Sequence, residues 1–123
     1  MSAPAGRVVT LHPGQVALGF RGDILETLLG SCVAILLTDP RRTVGVMSHI
    51  VHSRPAPAGM ETSCAYADVA LKTMVNLLQA QAIAAHLCDA YVYGGGNLFP
   101  DLVPGRSVGD NNAQWALDAL ARL

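Results

Sequence analysis

Short apolar runs broken by Pro and Gly fill the first half of the chain, and a helical spacing takes over in the second. Val8 to Leu11 and Gln15 to Phe20 are apolar segments separated by His12-Pro13-Gly14 and followed by Arg21-Gly22-Asp23, which predicts two strands and a turn. Cys32 to Thr38 is aliphatic and β-branched, Asp39-Pro40-Arg41-Arg42 suits a turn with Pro at its second position, and Val44 to Val51 is again apolar. That order predicts a β-hairpin. From Tyr66 to about Ala82 the pattern becomes helical, with Leu71, Met74, Val75 and Leu78 on one stripe and Asp68 favourably placed in the first turn. Ala90 to Tyr93 reads as a short strand running into Gly94-Gly95-Gly96-Asn97, and Asn112 suits the cap of a terminal helix through Leu123. Residues 53 to 64, rich in Pro, Ala, Gly and Ser, are equally a connector or a lid beside a site. Together these elements predict an α+β fold, a layered sandwich of mixed, largely antiparallel β-sheet with helices packed on it, as a single domain over residues 1–123.

Composition narrows the function classes. A chain of 123 residues that is 51% hydrophobic and 14% charged, with net charge −1, is suited to building a core and poorly suited to binding phosphate backbones, so nucleic acid is excluded as an expected partner. No segment approaches the ~20 apolar residues of a membrane span and the first residues lack a signal-peptide core, so a cytoplasmic location without membrane insertion is expected. The 3 cysteines stand at wide spacings with no C-x-x-C pair, which argues against a disulfide framework and a cysteine-rich zinc site.

The chemistry-bearing residues gather in LLGSCVAILLTDPRRTVGVMSHIVH, residues 28–52. With the turn centred near Pro40 and Arg41, Cys32 lies opposite position 49 or 50, within reach of His49. His52 is three residues beyond His49, so in a regular strand the two point to opposite faces and do not chelate one ion together. A Cys beside a His can form a reactive thiolate, because the imidazolium stabilises the anion and lowers the thiol pKa. Gly30 leaves the strand entrance free to bend, and the Cys32 main-chain N–H is a candidate oxyanion donor. Buried cysteine and hydrogen-bonded structural histidine are the alternative reading of the same residues.

Leu29-Gly30-Ser31-Cys32-Val33-Ala34, then Asp39-Pro40, then Val44-Gly45-Val46-Met47-Ser48-His49 closely resemble the signature of the chemoreceptor glutamine deamidases, the CheD family. Tyr66-Ala67-Asp68, Tyr93-Gly94-Gly95-Gly96-Asn97-Leu98-Phe99 and Val108-Gly109-Asp110-Asn111-Asn112 resemble the family's later landmarks in the same order, so nearly the whole chain is covered. The resemblance implies Cys32 as nucleophile and His49 as its partner. It also implies a third, hydroxyl-bearing member, usually Thr, at the place occupied here by Glu26; Thr27 follows it and is the favoured candidate. Family members continue past the last helix into further strands, so a chain that stops at Leu123 is expected to be a C-terminally shortened member with an open sheet edge.

The reaction the resemblance implies is hydrolysis of a protein glutamine side-chain amide to glutamate on methyl-accepting chemotaxis receptors, without metal or other cofactor. The oxyanion would be held by backbone donors of the Gly94 to Gly96 loop or of Cys32. A phosphatase of the CheC type is a further partner implied by the family. The competing expectation is a non-catalytic CheD-like adaptor that binds receptors or that phosphatase.

Overall fold

The computed structural model describes residues 6–95 and 108–123, with the side chains of the second stretch from residue 111 onward. Six strands and two α-helices follow in the order β1 (Val8–Leu11), β2 (Val16–Phe20), β3 (Ile24–Thr27), β4 (Val33–Thr38), β5 (Val44–Ile50), α1 (Ala67–Ala80), β6 (Asp89–Gly94) and α2 (Val108–Ala121). Strands β2, β5, β4 and β6 form an antiparallel sheet in that order, and β1 pairs with β3 in parallel as a second, two-stranded sheet.

The β4–β5 hairpin forms where the apolar runs predict it. Its turn is closed by the Arg42 N–H on the Asp39 carbonyl at 2.9 Å, and the Asp39 carboxylate accepts the N–H groups of Thr43 and Val44 at 2.8 and 2.9 Å. The Thr43 hydroxyl, which also donates to this carboxylate, and then these backbone bonds favour the charged form and hold the Asp39 carboxyl below its ordinary pKa. Arg42 adopts φ 58°, and this residue in left-handed conformation lengthens the turn. The register is therefore displaced from the expected one: Val33 faces Ile50 and Ala34 faces His49, which leaves Cys32 one residue before the ladder, level with Val51.

The two faces of the large sheet carry different layers. Val33, Ile35, Leu37, Val46 and Ile50 are buried against Ala67, Ala70, Met74 and Leu78 of α1 and Ala116 of α2. Fully burying such aliphatic side chains contributes about 1.5–3 kcal/mol each. On the opposite face Ala34 and Met47 pack with Leu11 of β1 and with partly buried Leu25, Leu29 and Leu36. The small β1–β3 sheet thus covers the face that carries the odd-numbered residues of β5 nearest its end, Met47 and His49.

Strand β3 is the element the apolar pattern does not announce. It is four residues long with alternating exposure, and Glu26 and Thr27 dilute its hydrophobic signal. Its start is fixed by Asp23, whose carboxylate accepts the N–H groups of Arg7 and Phe20, each at 2.9 Å, and faces the Arg7 guanidinium at 3.2 Å. Those backbone bonds, ahead of the Arg7 charge, lower the Asp23 pKa to about 2. The terminal helix also begins earlier than expected, at Val108, so Asn112 lies inside it and is no cap.

Candidate active site

Cys32 stands at the entrance of β4, half-buried, and its backbone continues the ladder to β6: its carbonyl accepts the Gly95 N–H at 2.9 Å. Gly94 has φ +93°, and a Cβ there would lie 2.4 Å from the Cys32 carbonyl oxygen, so only glycine permits this approach. Because Val33 faces the helices, strand alternation turns Cys32 toward the face shared by Ala34 and His49. The two site residues are therefore diagonal neighbours and not the directly opposed pair expected from the sequence; diagonal positions remain within reach of long side chains.

His49 is only 2% exposed and is held on both sides of its backbone by the β1–β2 turn. It donates its N–H to the Gln15 carbonyl at 3.0 Å, and its carbonyl accepts the Gly14 N–H at 2.9 Å. Its Nδ1 lies 2.7 Å from Thr27 Oγ1, which is also 2.7 Å from the Leu11 carbonyl. Counting protons fixes the roles. A carbonyl only accepts, and a threonine hydroxyl has one proton to give. With that proton on the Leu11 carbonyl, Thr27 Oγ1 accepts from His49 Nδ1–H, and in the neutral ring the lone pair is on Nε2. Thr27 is thus the neighbour that orients His49, whereas Glu26 accepts the Thr10 hydroxyl at 2.8 Å on the exposed side of the strand.

Electrostatics differ from the thiolate–imidazolium pair anticipated from the sequence. Burial raises the Cys32 pKa, and burial, followed by the charge of His12, lowers that of His49. Both shifts favour the uncharged forms, a thiol at Cys32 and a neutral imidazole at His49. His52 has a different neighbour: it bridges to Tyr66, and the two rings meet at a centroid distance of 4.8 Å, tilted by 34°. Among the described residues no cluster of His, Cys, Asp and Glu has the makings of a metal site.

Toward the β4–β5 turn an open groove of about 490 Å³ is lined by Phe20, Leu36, Met47, Tyr91 and Tyr93 together with the charged Arg21, Asp23 and Arg42; Cys32 and His49 lie outside its lining. Residues 53–64 form successive turns, with Met60 N–H on the Pro57 carbonyl and Ser63 N–H on the Met60 carbonyl, each at 3.0 Å. The chain then returns to β5, where Val51 and His52 both donate to the Ala65 carbonyl at 2.9 Å. Of the glycine loop offered as an oxyanion donor, Gly95 spends its N–H on Cys32, and Gly96 lies outside the described residues. Asn112 is the residue the sequence misassigns: it is buried, and its Nδ2 donates to the Ser31 carbonyl at 3.1 Å and the Val51 carbonyl at 3.2 Å. An amide in register with the small apolar residues Ala116 and Ala119 of the buried stripe was the available signal.

Residues 52–123 match the family described as CheD chemotactic sensory transduction. The chain is 36% identical over 121 residues to a probable chemoreceptor glutamine deamidase CheD of Pseudomonas fluorescens, covering 95% of this chain and 68% of that protein. It is 39% identical over 116 residues to a second protein of that name, from Albidiferax ferrireducens, covering 91% and 67%. A third, from Anaeromyxobacter dehalogenans, is 37% identical over 113 residues, covering 91% and 64%. The chain thus spans about two thirds of the length of these relatives.

Proposed function

The chain belongs to the CheD family, and on that premise we propose that it is a protein-glutamine deamidase, a cysteine hydrolase acting on chemoreceptors, with Cys32, His49 and Thr27 as its catalytic set. The observation that carries the mechanism is the relay Leu11 carbonyl, Thr27 hydroxyl, His49 Nδ1, with both links at 2.7 Å. It leaves Nε2 as the base in a ring whose lowered pKa keeps it neutral.

Catalysis then follows from proton positions. Nε2 takes the Cys32 proton as sulfur attacks the side-chain amide carbon, and the Cys32 main-chain N–H steadies the oxyanion. The C–N bond breaks as the imidazolium returns the proton to the departing ammonia. Water, deprotonated by Nε2, attacks the thioester, releasing glutamate and the thiol. Every proton is accounted for within the dyad, so the chemistry calls on no cofactor.

The groove lined by Phe20, Leu36, Met47, Tyr91 and Tyr93 suits the apolar side of a substrate helix, with the target glutamine extending beyond the groove toward Cys32. Receptor helices of the cytoplasm are the proposed substrate, and a cytoplasmic location goes with them. Among the described residues no helix is long and apolar enough to cross a membrane. A CheC-type phosphatase, proposed on family grounds, would compete for the same face. The test is incubation of the protein, and of Cys32→Ala, with a receptor cytoplasmic fragment, followed by peptide mass spectrometry for amide-to-acid conversion. Conversion by the parent alone is expected; receptor binding without conversion would favour the adaptor reading.

A further inference from the structure

Asn112 is among the largest fully buried side chains, and it is polar, at a position of α2 that faces the sheet end beside Cys32. A buried carboxamide is costly unless its donors are satisfied, and here both bonds go to main-chain carbonyls of the active hairpin. One is Ser31, the residue before the nucleophile. The other is Val51, which stands level with Cys32 on the neighbouring strand, one pair beyond the last rung of the ladder. Asn112 therefore staples the hairpin at its open end, where no β4–β5 pair holds it.

The staple also sets a direction. In a trans peptide the carbonyl of one residue and the N–H of the next point opposite ways, and the described residues contain no cis bond. With the Ser31 carbonyl turned to Asn112, the Cys32 N–H points the opposite way, away from Asn112 and Val51. The Cys32 carbonyl is fixed in turn by Gly95. Both peptides flanking the nucleophile are thus held from outside the hairpin.

We infer that Asn112 is a positioning residue for the reaction: by holding the Ser31 carbonyl it aims the Cys32 main-chain N–H at the oxyanion. This rests on the deamidase reading of Cys32, and it acts through Cys32 without touching substrate. A serine at 112 is too short to span both carbonyls, so the Ser31–Cys32 peptide becomes free to rotate. Losing one oxyanion donor lowers kcat by about 10²–10³-fold in enzymes of this kind. Alkylation of the thiol by iodoacetamide needs no oxyanion donor and reports only the thiol and its base.

The experiment compares wild type, Asn112→Ser and Asn112→Leu in two reactions. One is the rate of Cys32 alkylation across pH. The other is reversible inhibition of that alkylation by a capped peptide bearing the aldehyde analogue of the glutamine side chain. There the sulfur–carbon bond forms, the carbonyl π pair becomes the oxyanion, and the thiol proton ends on that oxygen. The expected result is an aldehyde affinity about 10²-fold weaker in the variants, with the alkylation profile unchanged. Equal aldehyde affinity in wild type and variants overturns the inference, as does a parallel fall of affinity and alkylation, which marks a merely structural residue. Should neither variant fold, Asn112→Gln, which keeps the carboxamide and displaces its donors by one methylene, is measured in their place, with the same outcomes supporting or overturning the proposal. The deamidase reading fails separately, if wild type converts no receptor glutamine.

Discussion

Replacing Thr27 by Val removes one hydroxyl and keeps the shape, so it isolates the relay that orients His49. Two buried partners lose their bond: His49 Nδ1–H and the Leu11 carbonyl, both in residues only 2% exposed. Each orphaned group costs about 1–3 kcal/mol, which gives a loss of roughly 2–4 kcal/mol in folding stability once some relaxation is allowed. With a urea slope of about 1–3 kcal/mol/M, the unfolding midpoint falls by roughly 1–2 M. The catalytic effect is separate. Freed of its acceptor, the ring no longer keeps its proton on Nδ1, and in the other tautomer Nε2 is no base. General-base catalysis is worth about 10²–10⁴-fold, so kcat on a receptor fragment is expected to fall by about 10²-fold or more with KM little changed. Thr27→Ser keeps both hydrogen bonds and should restore most of the rate. A folded Thr27→Val protein with the parent's kcat refutes the relay.

Three further outcomes follow from the same geometry. Because burial and the His12 charge hold His49 below the usual 6.5, its base form persists to lower pH, and the acid limb of kcat/KM should lie below that value; His12→Asn should move the limb upward, and an unmoved pH profile would contradict the assignment. Ser48 Oγ is buried without a hydrogen-bond partner among the described residues, so Ser48→Ala should leave stability equal or raise it by about 1 kcal/mol in urea unfolding, and a loss of more than that would reveal a partner. Gly94→Ala forces a Cβ against the Cys32 carbonyl at φ +93°, at a cost of about 1–3 kcal/mol; activity should fall further than stability, because the displaced atom belongs to the backbone of the proposed nucleophile.

The hairpin and first helix were legible because their apolar runs are long and their turn residues specific; His52 lies beyond the end of β5 and pairs with Tyr66, while His49 bonds Thr27. Register was not legible, since the left-handed Arg42 is a local choice of backbone that no hydrophobic pattern records. The third site residue needed tertiary structure: Glu26 and Thr27 differ only in the face they present, and that is set by the parallel pairing of β3 with β1, where Leu11 stands opposite Thr27. Asn112 was read as a cap because Asn caps helices well, while its actual partners lie 81 and 61 residues away in the chain. The direction of the Cys32 pKa was likewise hidden, because sequence proximity of a histidine suggests an ion pair and only burial shows that the neutral pair is preferred.

In the proposed reaction Cys32 forms the covalent intermediate. Acid quenching of the reaction with a glutamine-bearing receptor peptide, followed by digestion and mass spectrometry, should find the substrate acyl group on the peptide that contains Cys32, sensitive to hydroxylamine and absent from Cys32→Ala. Continued conversion of glutamine to glutamate by Cys32→Ala, with no adduct on the parent protein, would contradict the account.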